Sequence, residues 1–438
     1  MIPSRRAVAA WVLYDWAYGA FNTVVATFVF ATYYTQAVAP DPVRGAAGWA
    51  AAQTVAGLAI ALLGVPLGAI ADRGGRRRPM LAAATAIMVA ATLALWFVRP
   101  APAWSTIALL LVATATIAFE IACVFYNAML PGLAPPGRLG RLSMLAWGAG
   151  YGGGLICLAL CLGLLIGPAV PPFGLDRTQA EQIRATALLA GGWIALFGWP
   201  VIVFVPEGGR RLPWGQALRA GMAELGGVLR AATGQPALRR FLLARLFYMD
   251  GLTTLFAFGG IYAAGSFGLD ARHVLLFGIG LNITAGLGAL GFAVIEDRLG
   301  ARPVILLSVL ALAAIGGALL LVRNRALFWV LGLALGIFVG PAQAASRSMM
   351  AQMAPPAARA AWFGLFALSG RVTAFLGPLA LGIMTAAFAS QRAGMAVIPV
   401  FLVLGAALLW RVPSPAPERR PPREAEHGAQ PGQLRQHQ

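Results

Sequence analysis

The chain has no lysine. Its 33 basic residues are all arginines, set against 15 acidic residues and three histidines in 438 positions. Charge of either sign is scarce, at 11% of the residues, where an ordinary soluble domain carries about 25%. So few polar groups cannot cover an interior built from 59% apolar residues, which excludes a soluble globular protein. Cysteine is nearly absent too. Cys123, Cys157 and Cys161 lie inside apolar runs, with no Cys-x-x-Cys spacing and no histidine nearby, so neither a disulfide framework nor a metal site is expected. His273, His427 and His437 are scattered, and no nucleophile motif accompanies them, which argues against an enzyme. The glycine clusters fall within apolar runs and not after a strand, so no cofactor loop and no cofactor is expected. A net charge of +18 would suggest nucleic acid in a soluble protein. Here the arginines sit in short connections and no basic patch interleaves with aromatics, so they are read as topogenic and lipid-facing, with no nucleic-acid partner.

What the chain has in abundance is long apolar runs. Twelve can be counted, at 8–36, 48–71, 79–98, 104–129, 142–166, 185–205, 238–264, 273–295, 303–322, 326–350, 360–388 and 392–411. A helix needs roughly 20 apolar residues to cross the hydrocarbon core. Only helices fit, because each segment must satisfy its own backbone in lipid. The fold expected is an all-α integral membrane protein of twelve transmembrane helices in two six-helix bundles. The first run is too long for a secretory signal and is interrupted by Asp15. If the N-terminus faces the cytoplasm, inside segments hold eighteen arginines and outside segments eight. That bias places both termini in the cytoplasm. The domains expected are an N-terminal bundle over 1–205, a cytoplasmic connection over 206–237, a C-terminal bundle over 238–411 and a disordered tail over 412–438. Within the connection Leu218, Met222, Leu225 and Leu229 recur at helical spacing, which predicts an interfacial amphipathic helix.

The halves repeat each other. Ala134-Pro135-Pro136 returns as Ala354-Pro355-Pro356 after 220 residues, Asp72-Arg73 as Asp297-Arg298 after 225, and Tyr14-Asp15 as Tyr248-Met249-Asp250 with 235 between the aspartates. Each match joins span n to span n+6, in one order. Duplicated halves around a central site are a transporter architecture.

Gly68-Ala-Ile-Ala-Asp72-Arg73-Gly-Gly-Arg76-Arg77 resembles the signature loop between the second and third helices of the major facilitator superfamily, G-x-x-x-D-R-x-G-R-[RK]. Leu13-Tyr14-Asp15-Trp16-Ala17, Tyr126-Asn127-Ala128-Met129-Leu130-Pro131, Gly340-Pro341-Ala342-Gln343 and Ser369-Gly370-Arg371 resemble the vacuole-effluxer, autophagy-related branch of that superfamily. The likeness covers nearly the whole chain. It implies a two-bundle fold in which the third, sixth, ninth and twelfth helices are outer supports. It implies a conformational latch built from Gly68, Asp72, Arg73, Arg76 and Arg77 and, in the repeat, from Asp297, Arg298 and Arg302. It also implies export of small metabolites, amino acids being the substrates associated with the fungal members.

Ionisable groups within the membrane cost at least about 2.5–3.5 kcal/mol each at helix centre, so each needs a reason. Those within the apolar runs are Asp15, Glu120, Arg245, Asp250 and Arg371, with Arg347 near an inner helix end, where it can snorkel. At ~1.5 Å per residue, Glu120, Asp250 and Arg371 fall ~15–18 Å from the inner ends of their helices, near the midplane. Arg371 suits the carboxylate of an amino-acid-like substrate. Asp250 or Glu120 suits a coupling proton, and Asp15 a gate or second titrating group. Further cavity candidates are Tyr14, Asn22, Gln53, Tyr126, Asn127, Asn282 and Gln343. Glycines crowd the fifth and eighth helices, and the resemblance implies that these helices pack across the two halves, where small residues would allow close sliding contact. The reading is a monomeric proton-coupled exporter of the bacterial inner-membrane type, with a drug/proton antiporter or a membrane sensor as the alternatives.

Overall fold

A computed structural model describes residues 4–207, 212–269 and 271–413. Arg210, Arg211 and the tail from 414 onwards lie outside the described residues. Twelve membrane helices follow in chain order: α1 (5–38), α2 (Pro42–Gly74), α3 (Arg77–Phe97), α4 (Pro102–Gly132), α5 (Leu139–Ile166), α6 (Glu181–Phe204), α7 (Pro236–Phe267), α8 (Ala271–Leu299), α9 (Ala301–Leu321), α10 (Arg325–Met353), α11 (359–388) and α12 (Gln391–Trp410). Among the described residues, ten are long and apolar enough to cross a membrane as single spans. The other two are interrupted. In α1 the turns widen to π geometry over Phe21–Phe28 and Tyr34–Val38. In α11 a first half-helix, Arg359–Ser369, is separated by six residues from a second, Leu376–Phe388. Pro66, Pro200 and Pro341 stay inside continuous helices.

An apolar belt faces outward, with Leu62, Leu110, Leu196, Leu287, Val330 and Ile383 all more than half exposed. Bilayer is the solvent that makes such a surface stable. Within each half α1 packs on α5 and α6, and α7 on α12, while α8 and α9 pack on α10. Across the halves α2 packs on α11 and α5 on α8. Between them, Trp214–Gly234 forms the expected amphipathic helix and packs against α2.

The glycine expectation is only partly met. A Cβ on Gly148 would meet Leu290 and Gly286 of α8, so that glycine does serve the interface between halves. Gly153 and Gly154, however, press against Trp16 and Gly19 of α1, and Gly288 against Ile337 of α10. Most of these small residues bring helices together inside a half, where close backbone approach is permanent.

Candidate functional site

All twelve helices alternate in direction, so one end of the bundle carries both termini, and that end is sealed. Asp72, at the close of α2, accepts from the Ala361 amide at the start of α11 (Oδ2, 3.0 Å) and pairs with Arg77 (2.6 Å). Its carboxylate therefore faces the positive end of a helix from the other half. Arg77 also donates to the Pro356 carbonyl (3.4 Å). Gly68 is needed here, since a Cβ would stand 2.4 Å from the Ala360 carbonyl oxygen. The repeat reproduces the contact: Asp297, at the close of α8, accepts from the Arg141 amide at the start of α5 (3.3 Å). Ala361 follows Arg141 by the same 220 residues that separate the two Ala-Pro-Pro turns. The remaining members of the expected latch do other work. Arg73 binds Glu224 and Arg76 the Leu212 carbonyl (2.7 and 2.9 Å), both tying down the central connection. Arg302 donates to the Leu409 and Trp410 carbonyls at the end of α12, and Arg298 is exposed.

One step deeper, Arg347 of α10 crosses into the N-terminal half. It is fully buried, so it does not snorkel as its position near a helix end suggests. Its Nη1 meets Asp15 at 2.9 Å, its Nε donates to Ser143 Oγ at 2.8 Å and its Nη2 to the Ser143 carbonyl at 2.6 Å. Trp147 and Trp11 lie 4.9 and 5.0 Å from the guanidinium. Trp11 stacks on Tyr126, and each donates to the other's backbone carbonyl. Tyr126 thus belongs to this plug, as does Tyr14, whose ring lies tilted against it and whose hydroxyl is bonded to Thr85. Nearby Glu296 is 3% exposed and takes a hydrogen bond from Ser348. Sequence reading missed Glu296, because the apolar run ends one residue before it, and missed Ser143, because a serine in an apolar run carries no charge signal.

Above this plug lies a cavity of about 340 Å³ between the halves. Tyr18, Asn22, Phe119, Glu120, Asn127 and Tyr151 line it from one half, and Arg245, Asn282, Gln343, Phe366, Gly370 and Arg371 from the other. Asn22 lies on the widened turn of α1; π turns recur at functional sites because they redirect side chains. Glu120 of α4 and Arg371 of α11 form an ion pair across the halves, within the cavity. Neither is sealed from solvent: their side chains are 17% and 33% exposed. Cys123 borders the same space. Gln53 is half-buried and does not line it.

Asp250 does not line this cavity either. Its Oδ2 accepts from the Gly377 amide at 3.0 Å, at the first turn of the second half of α11. Five residues earlier Arg245 donates to Ser369 Oγ (2.8 Å) and to the Phe366 carbonyl, in the last turn of the first half. The two charges of α7 thus cap the two ends exposed by the break in α11, acid at an N-terminus and base at a C-terminus, as the helix dipoles favour. This explains why neighbouring opposite charges on one helix do not pair. Asp250→Ala should lower stability by about 1–3 kcal/mol, since the Gly377 amide is left without a partner away from water. Asp250→Asn, which can still cap, should cost much less. Thermal unfolding of the purified variants checks both.

Two pseudo-symmetric six-helix bundles, sealed at one end beneath a charged central cavity, make a secondary transporter of the major facilitator type. The chain belongs to the family described as "Vacuole effluxer Atg22 like", which matches residues 50–419. It is 25% identical to the uncharacterized MFS-type transporter YxiO of Bacillus subtilis (strain 168) over 92% of this chain and 94% of that one. It is 26% identical to Autophagy-related protein 22 of Cryptococcus neoformans var. neoformans serotype D (strain B-3501A), over 62% of this chain and 52% of that protein. The chain thus matches about half the length of that fungal relative. Among solved structures, the proton:xylose symporter XylE superposes with a TM-score of 0.72 at 13% identity, over 93% of this chain and 96% of that one. A bacterial homologue of the iron transporter ferroportin, in its outward-facing state, superposes with a TM-score of 0.69 at 13% identity, over 93% and 98%. At such identities the likeness concerns the fold.

Proposed function

We propose that the protein exports small zwitterionic metabolites of the amino-acid class across the bacterial cell membrane, coupled to protons, by rocking its two halves about the central cavity. The observation that carries this reading is the Glu120–Arg371 pair. It is partly accessible, it faces the cavity, and its members come from different halves. A zwitterion offers each member a replacement: its carboxylate for Arg371, its ammonium for Glu120. A proton on Glu120 does the same without substrate, freeing Arg371, so the two ligands compete for one carboxylate. Both termini face the cytoplasm in this reading, so the sealed end is the inner one and the described state faces outward. The protein acts as a monomer within the lipid.

The test is transport in proteoliposomes under an imposed pH gradient. Wild type should accumulate a zwitterion against its gradient, and Glu120→Gln should still equilibrate it but fail to concentrate it. Concentrative uptake that survives Glu120→Gln would place the coupling elsewhere. A second reading, a drug/proton antiporter, draws on the aromatic share of the lining, with Tyr18, Phe119, Trp147, Tyr151, Phe363 and Phe366 around the charges. Flux confined to apolar cations, with zwitterions excluded, would favour it.

A further inference from the structure

A second cavity, of about 190 Å³, lies inside the C-terminal half among α7, α8, α9, α10 and α12. It differs in kind from the central one. Among the described residues no Asp, Glu, Arg or His lines it, and its walls include Phe256, Phe277 and Phe328. Two of its polar edges are already engaged: the Tyr262 hydroxyl donates to the Leu319 carbonyl (3.3 Å), and the Asn282 amide to the Gly278 carbonyl (2.8 Å). Asn282 borders both cavities and so divides polar space from apolar space.

Glycines leave part of this space open. Gly259 and Gly316 both line it, and a Cβ on either would meet nothing within 4 Å. Any larger residue there would begin to fill a void that well-packed interiors avoid. One wall also comes from the other half. Phe28 of α1 lines the cavity, and its ring lies 3.0 Å from where a Cβ of Gly278 would stand. An occupant would therefore touch both halves at once.

We propose that this cavity binds a neutral aromatic molecule of benzene-to-indole size, and that the bound molecule holds the two halves in the arrangement described here. The size fits, since an engineered apolar cavity of about 150 Å³ stays dry and takes up benzene or xenon. The aromatic walls supply offset and edge contacts, and the lack of charge excludes the zwitterions suited to Glu120 and Arg371. The site is independent of what the central cavity carries.

The probe is indole, titrated into the purified full-length protein while its melting temperature is followed. Wild type should show a saturable rise. Gly316→Leu, which fills the space, should bind at least about tenfold more weakly, and Gly259→Leu does the same from the facing helix. Crystals soaked in iodobenzene should show iodine within the cavity, against the Phe256, Phe277 and Phe328 walls, which serves if either variant fails to fold. Equal shifts in wild type and variants would mean that indole acts only through detergent or lipid, and would overturn the proposal. Electron density for a lipid chain in the cavity would also overturn it. Saturating indole should slow transport by wild type and spare Gly316→Leu; binding that leaves wild-type transport unchanged would overturn the coupling between the halves.

Discussion

Arg347→Ala should open the sealed end of the protein. In wild type the guanidinium and the Asp15 carboxylate are both fully buried and 2.9 Å apart, on helices from different halves. Removing the cation leaves Asp15 as an uncompensated charge in a dry site, a change that typically costs about 3–5 kcal/mol. The cost disappears when the halves separate at this end and water reaches Asp15. The equilibrium between closed and open inner ends should therefore shift by roughly two to three and a half powers of ten. Spin labels at Arg138 and Arg298, exposed near the inner ends of α5 and α8, would report it, on a Cys123→Ala background. Wild type should give one short distance and Arg347→Ala a longer one. Asp15→Ala in addition should return much of the closed population, because the stranded charge is then gone. A distance distribution that Arg347→Ala leaves unchanged would deny the plug its role as a gate.

Arg371→Ala should abolish concentrative transport while sparing the fold. The side chain is one-third exposed in the cavity and lies in the break of α11, so truncating it opens no packed core. A charge-assisted hydrogen bond to a carboxylate contributes about 1.5–3 kcal/mol, so substrate affinity should fall about 10- to 150-fold. Arg371→Lys should recover only part of it, because an ammonium lacks the planar fork. Full transport by Arg371→Ala in a protein of normal melting temperature would remove the residue from the site.

The membrane architecture was legible in the sequence because bilayer solvent writes it in composition. Each apolar run became a helix, with ends displaced by a few residues. The Asp72 and Asp297 repeat was also legible, and the structure gives both aspartates the same task of meeting the amide at the start of a helix from the opposite half. Glu120 and Arg371, which share a depth, meet in an ion pair. Depth along a helix misled for Asp250, which shares theirs but turns towards Gly377. Depth is a one-dimensional quantity, and the facing of a side chain is set by neighbours far away in the chain. Arg347 shows this most clearly: a helix-end arginine usually reaches for water, but Asp15, 332 positions away, holds it inside. The break in α11 had local signs in Gly370 and in Gly377-Pro378. That Arg245 and Asp250 would cap its two ends could not be read without knowing that α7 lies beside it.

The central claim is that a zwitterion binds between Glu120 and Arg371. A thermal-shift screen of purified protein against amino acids, peptides, nucleosides and apolar cations, run in parallel on wild type and Arg371→Ala, tests it most directly. Zwitterions should stabilise wild type and leave Arg371→Ala unmoved. Stabilisation of both proteins alike, or by apolar cations alone, would contradict it.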